Sequence, residues 1–102
     1  MDDTKRFEKG TTKQDAQISW DETTREKFQQ LIEKVPIFIR GIAEKNVSQK
    51  AESLVKKENR QVVCEKDLVD AFFAETPFGF HGPMKTDMTE IQIDYMKYGY
   101  PK

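Results

Sequence analysis

Few side chains in this 102-residue chain have the means to do chemistry. Cys64 is the single thiol and His81 the single imidazole. A cysteine nucleophile needs a base within hydrogen-bond reach, and His81 is the only histidine on offer. A zinc site takes four ligands from cysteine, histidine and carboxylate. Cys64, His81 and two carboxylates make such a set on paper, with no spacing motif behind it. An iron–sulfur cluster needs several thiolates, and one cysteine is too few. The expectation is therefore no catalytic residue, no metal site and no cofactor held by this chain. Cys64 reads as a small residue at a helix start, and His81 as a loop histidine.

Residues that could bind are more numerous. Arg40 has two readings. One is a surface pair with Glu44 at i,i+4. The other is an anchor for a carboxylate or phosphate on a partner. Phe78, Phe80, His81, Met84, Tyr95, Met96, Tyr98 and Tyr100 crowd the last quarter of the chain. Aromatic residues and methionine are enriched at protein interfaces, so this segment reads as a docking tail. It reads equally as cover for a small core, since a domain of under ~60 residues buries only about 60% of its unfolded surface. Both readings stay open.

Charge is the next filter. From Ile37 to Arg60 six Lys/Arg face three Glu, a basic bias that phosphate backbones reward. Asp67, Asp70, Glu75, Asp87, Glu90 and Asp94 offset it, and the net charge is −1. Nucleic acid is not the expected partner. No apolar run of ~18 residues exists to span a membrane. The first residues carry no apolar core of the kind a signal peptide needs. A lone cysteine cannot close an internal disulfide, so a reducing, cytoplasmic location is the simplest expectation.

These residues need elements to position them. Pro36–Asn59 predicts one long amphipathic helix. Proline suits the first turn. Ile39, Ala43, Val47, Ala51, Leu54 and Val55, widened by Phe38 and Ile42, form one stripe. Gly41 costs ~1 kcal/mol inside a helix, which suggests a close helix–helix approach or a slight break. Before it, Ser19-Trp20-Asp21-Glu22 matches a capping box, with Ser19 as the cap. The helix that follows carries Trp20, Thr24, Phe28, Leu31, Ile32 and Val35 on one face and stops before Pro36. After Asn59 comes a β-prone Gln61-Val62-Val63. A short third helix then runs from Cys64 to about Thr76, its face made by Leu68, Phe72 and Phe73. Phe78–Met84 reads as a loop broken by two glycines and a proline. Thr86–Glu90 could cap a fourth helix through Ile91, Ile93 and Met96.

The fold class is thus all-α, with short–long–short helices that are histone-like in length and a C-terminal aromatic extension. The expected organisation is a disordered tail over residues 1–18, a helical domain over 19–76 and the extension over 77–102.

The order Trp20, Leu31, Val35-Pro36, Phe38, Arg40, then Val63 through Ala71, resembles the small helical domain at the C-terminus of the B subunit of light-independent protochlorophyllide reductase. That module also occurs as stand-alone proteins. Its Pro-x-Phe-x-Arg signature is present as Pro36, Phe38 and Arg40. Cys64 stands where that family usually has threonine, and the segment from Phe78 onward has no counterpart. The resemblance implies a helical fold and kinship with a nitrogenase-like redox enzyme. Substrate pocket and cluster ligands lie in a larger domain, so an iron–sulfur cluster would belong to a partner. The expected function is a non-catalytic protein-interaction module tied to such a metalloenzyme, with a homodimer as a further arrangement. Two other classes remain: a histone-like nucleic-acid-binding dimer and a tetrapyrrole-binding accessory.

Overall fold

The computed structural model describes residues 18–102. The expected tail over 1–18 falls, but for Ile18, outside them. Four α-helices carry the fold: α1 (Glu22–Glu33), α2 (Ile37–Lys57), α3 (Glu65–Glu75) and α4 (His81–Glu90). The protein is all-α, and α1, α2 and α3 run short–long–short as the periodicity predicts. Two-residue strands β1 (Ser19–Trp20) and β2 (Val62–Val63) pair in parallel, Ser19 opposite Val62 and Trp20 opposite Val63.

That pairing corrects the expected start of α1. Ser19 does not cap the helix. Its N–H is taken by the Gln61 carbonyl at 2.9 Å, and the Asp21 N–H by Val63 at 3.0 Å. Asp21 is the cap, and its carboxylate accepts from the Thr24 N–H and hydroxyl, both at 3.0 Å. A strand partner distant in sequence outbid the local motif, and the start moved to the next residue able to cap.

The chain turns sharply at Val35-Pro36, and Pro36 stands at the N-cap of α2. Asn59 closes the far end in the left-handed region at φ 59°, a conformation asparagine tolerates. Cys64 is the N-cap of α3. Its poor capping thiol is compensated, because Asp67 reaches back to the Cys64 N–H at 2.9 Å. Asp67 is itself buried, and Arg60 grips it with two bonds of 2.6 and 3.1 Å.

The core lies where α1 and α3 pack on α2, and it takes in Met84 and Met88 from α4. Phe28, Leu31, Val47, Ala51, Val55, Val63, Leu68, Val69, Phe72 and Met88 are buried there. Trp20 stacks on Phe28 with ring centroids 5.0 Å apart, and its indole N–H donates to Glu52 at 2.8 Å.

Phe78–Met84 is not a loop. Phe78–Phe80 makes a single 3₁₀ turn, and α4 begins at His81. Pro83 sits in the first turn of α4, where a missing N–H costs nothing. The helix that was expected to start near Thr86 therefore starts five residues earlier and ends at Glu90. Ile93 and Tyr95 lie beyond it, both buried. None of the described helices is long and apolar enough to cross a membrane.

Candidate functional site

The amino-terminal half of α2 departs from its expected role. Phe38, Ile39 and Ile42 belong to the expected core stripe, yet they and Ile37 are exposed, Phe38 at 83%. Among the described residues nothing covers them. Phe78, at 87%, and Phe80 are exposed alongside. Between the two groups lies a cleft of about 600 Å³. Leu31, Val47, Phe72 and Met84, all buried, belong to its lining. Ile39, Ile42 and Ala43 contribute from α2, and Pro77, Phe80 and Pro83 from the 3₁₀ turn and α4.

Charge sits at its margin. Lys34 is bound to Glu90 at 2.6 Å, which raises the affinity of its amine for the proton. Asp87 acts on the same lysine from further off. The side chains of Glu75 and Asp87 make no hydrogen bond or ion pair among the described residues.

The sequence-predicted residues divide. Phe80 and Met84 line the cleft, and Phe78 stands just outside it. His81 opens α4, and its Nε2 is 2.9 Å from the Thr76 carbonyl, whose helix has just ended. The ring packs edge-on to Phe73 at 5.1 Å. A carbonyl only accepts, so Nε2 carries the proton. His81 thus joins the end of α3 to the start of α4.

Arg40 does not pair with Glu44 among the described residues. Its Nη2 donates to the carbonyls of Glu33 and Val35 at 2.8 and 3.0 Å, and its Nε to Val35 at 3.2 Å. These carbonyls lie at the carboxy end of α1, where the last helical oxygens lack intrahelical partners. A guanidinium there satisfies them and complements the negative helix end.

The three tyrosines fold back. Tyr95 is buried. Tyr100 stacks on Phe73 at 3.9 Å and donates to Asp70 at 2.6 Å. Tyr98 donates to Glu65 at 2.8 Å, and Lys27 holds the other oxygen of that carboxylate at 2.9 Å. Burial would raise the Glu65 carboxyl, but Lys27 and Tyr98 outweigh it and keep it below its ordinary range. Burial, helped by the hydrogen bond to Glu65, pushes the Tyr98 phenol up. Burial and Asp70 push Tyr100 up to about 12. Among the large apolar side chains of the extension, Met84, Met88, Ile93 and Tyr95 are buried, Ile91, Tyr98 and Tyr100 are half-buried, and Phe78, Phe80 and Met96 are exposed.

Cys64 is exposed, and its sulfur lies 3.9 Å from the Val62 carbonyl. Among the described residues no three His, Cys, Asp or Glu side chains gather as metal ligands would.

Sequence reasoning missed the exposed half of α2. One signal was available. Ile37, Phe38 and Ile39 are consecutive, so they point in three directions round the helix. A helix apolar all round is enclosed on all sides or waiting to be.

No curated protein and no solved structure matches the chain. A family model does match, over residues 8–100, and by that match the chain belongs to DUF2621, described as protein of unknown function.

Proposed function

We propose that this chain is a non-catalytic protein-interaction module, an accessory of a redox metalloenzyme of the protochlorophyllide-reductase or nitrogenase-like kind. One observation carries the first part: six large apolar side chains stand exposed around an open, apolar-walled cleft. Monomeric proteins seldom leave such a patch uncovered. The partner class rests on the Pro36, Phe38, Arg40 signature and its resemblance to the reductase domain. Any iron–sulfur cluster would be the partner's. A cytoplasmic location goes with this reading.

A second reading has one observation in its favour. A cleft of about 600 Å³ lies within the ~300–1,000 Å³ range of small-molecule sites. That suits a tetrapyrrole-binding accessory. The histone-like reading has less behind it, because Arg40 and Arg60, two cations of the basic stretch, are spent inside the fold.

The test is photocrosslinking in the native host, with a benzophenone side chain at position 38 or 78 and a control at exposed Ser53. Crosslinks from 38 and 78 to a redox-enzyme subunit, absent from the control, support the reading. Equal labelling from all three positions would end it. Crosslinks only between copies of this chain would remove the redox partner and leave the interaction surface.

A further inference from the structure

The cleft lies beside residues of the shape and charge to fill it. Phe38, Gly41, Ile42 and Lys45 fall at i, i+3, i+4 and i+7, one stripe along the first turns of α2. Phe38 and Ile42 are exposed, and a side chain added at Gly41 would meet nothing within 4 Å. The close helix approach that Gly41 suggests is therefore not made within the described chain. Lys45 is exposed, and its side chain makes no hydrogen bond or ion pair among the described residues. The cleft, of which Ile42 itself forms part of the wall, is a hollow of apolar walls with the carboxylates of Glu75 and Asp87 and the Glu90-bound Lys34 at its margin.

From this we infer that the cleft's occupant is a second copy of the same chain. Phe38 and Ile42 of each protomer enter the cleft of the other, and Lys45 meets the partner's Glu75 and Asp87. The inference rests on the reading of this surface as an interaction site and names its partner.

Two arguments favour a copy over an unrelated protein. The first is charge. A knob bearing an exposed cation and a hollow edged by Glu75 and Asp87 are complementary, and one chain carries both. A two-fold interface needs such a self-complementary patch, each contact being made twice. The second is area. At ~200 Å² for an aromatic side chain, Phe38, Phe78 and Phe80 together expose on the order of 450 Å². Ile37, Ile39 and Ile42 add roughly 200 Å². Because Ile37, Phe38 and Ile39 point in three directions, only part of this area faces the cleft; that part is comparable to the ~300–600 Å² of the largest patch on a monomer and below the ~800 Å² each partner buries in a standard interface.

Sedimentation velocity of the full-length chain over a wide concentration range tests this. A reversible dimer with a micromolar dissociation constant is expected. Phe38→Glu weakens it at least ~30-fold, as at an interface hot spot, with an unchanged melt at low concentration because Phe38 supports no core. Lys45→Glu weakens it about tenfold. Combining Lys45→Glu with Glu75→Lys and Asp87→Lys restores most of that loss. A chain that stays monomeric at millimolar concentration overturns the inference. So does a dimer indifferent to Phe38→Glu, or a charge swap that fails to rescue. If the chain is monomeric yet position 38 crosslinks to another protein in the host, the interaction surface stands and only the second copy falls.

Discussion

The two halves of α2 share one period and one kind of residue, and they do opposite things. In the carboxy-terminal half, Val47, Ala51 and Val55 are buried beneath α1 and α3. In the amino-terminal half, Ile37, Phe38, Ile39 and Ile42 face outward. The roles of polar and apolar side chains are exchanged as well. At the exposed end it is a charged residue, Arg40, that holds the fold together, by binding the last carbonyls of α1. Periodicity says which face of a helix wants cover. It does not say how far along the helix the chain's other elements reach.

The most severe way to sharpen this contrast is to remove what covers the core. Truncation after Thr76 deletes buried Met84, Met88, Ile93 and Tyr95. At roughly 1.5–3 kcal/mol per fully buried side chain, the loss rivals the ~5–15 kcal/mol by which domains are stable. The truncated chain is expected to lose its cooperative thermal transition. An unchanged melt would mean that the extension is no part of the core.

Next comes a pair of alanine substitutions. Leu68→Ala, under the covered half, is expected to cost about 2–5 kcal/mol by chemical denaturation. Phe38→Ala, in dilute solution, is expected to stay within ~0.5 kcal/mol of the parent. Equal costs would erase the distinction between the halves.

Arg40→Ala probes the exchange of roles. Losing charge-assisted bonds to the end of α1 is expected to cost about 1–2 kcal/mol. Lysine at this position should recover only part, because it lacks the fork that reaches two carbonyls. An alanine variant as stable as the parent would return Arg40 to the pool of surface charges.

The smallest expected effect is on pH. Glu65 titrates below its unfolded value of ~4.3, so its contribution is complete above that pH and lost as the pH falls through the lower, folded value. Tyr100 behaves in the opposite sense. Its contribution is complete below the unfolded value of ~10 and lost as the pH rises toward about 12. Tm should therefore fall at both edges. Glu65→Gln should flatten the acid limb and Tyr100→Phe the alkaline one, while the covered half of α2 stays indifferent to both.

Much of this architecture was legible because its signals are local. Pro36 marks the corner, Asn59 the helix end, and Leu68, Phe72 and Phe73 the face of α3. Ser19 misled because its competitor, Gln61, lies far along the chain, and no local motif records a long-range hydrogen bond. Phe78–Met84 misled because glycine and proline signal a break, yet proline in a first turn is also a way to begin a helix. The cleft was half legible: Phe80 and Met84 were singled out, but Ile39 and Ile42 passed for core. For Arg40 the sequence shows the charge and not the backbone carbonyls of Glu33 and Val35 that accept its hydrogen bonds.

The pairing of β1 with β2 also bears on the order in which the molecule can assemble. It joins Trp20 to Val63 across the whole of α1 and α2. Helices form from neighbouring residues within about a microsecond. A parallel bridge cannot form until the intervening chain has doubled back, and the entropy of closing that loop is spent before the two-residue pair returns anything. A bridge of such long range is therefore expected to close late, after the helices have packed. Trp20, the single tryptophan, sits on it with Phe28 beneath its ring and Glu52 on its nitrogen. The chain carries its own optical signal for that final step.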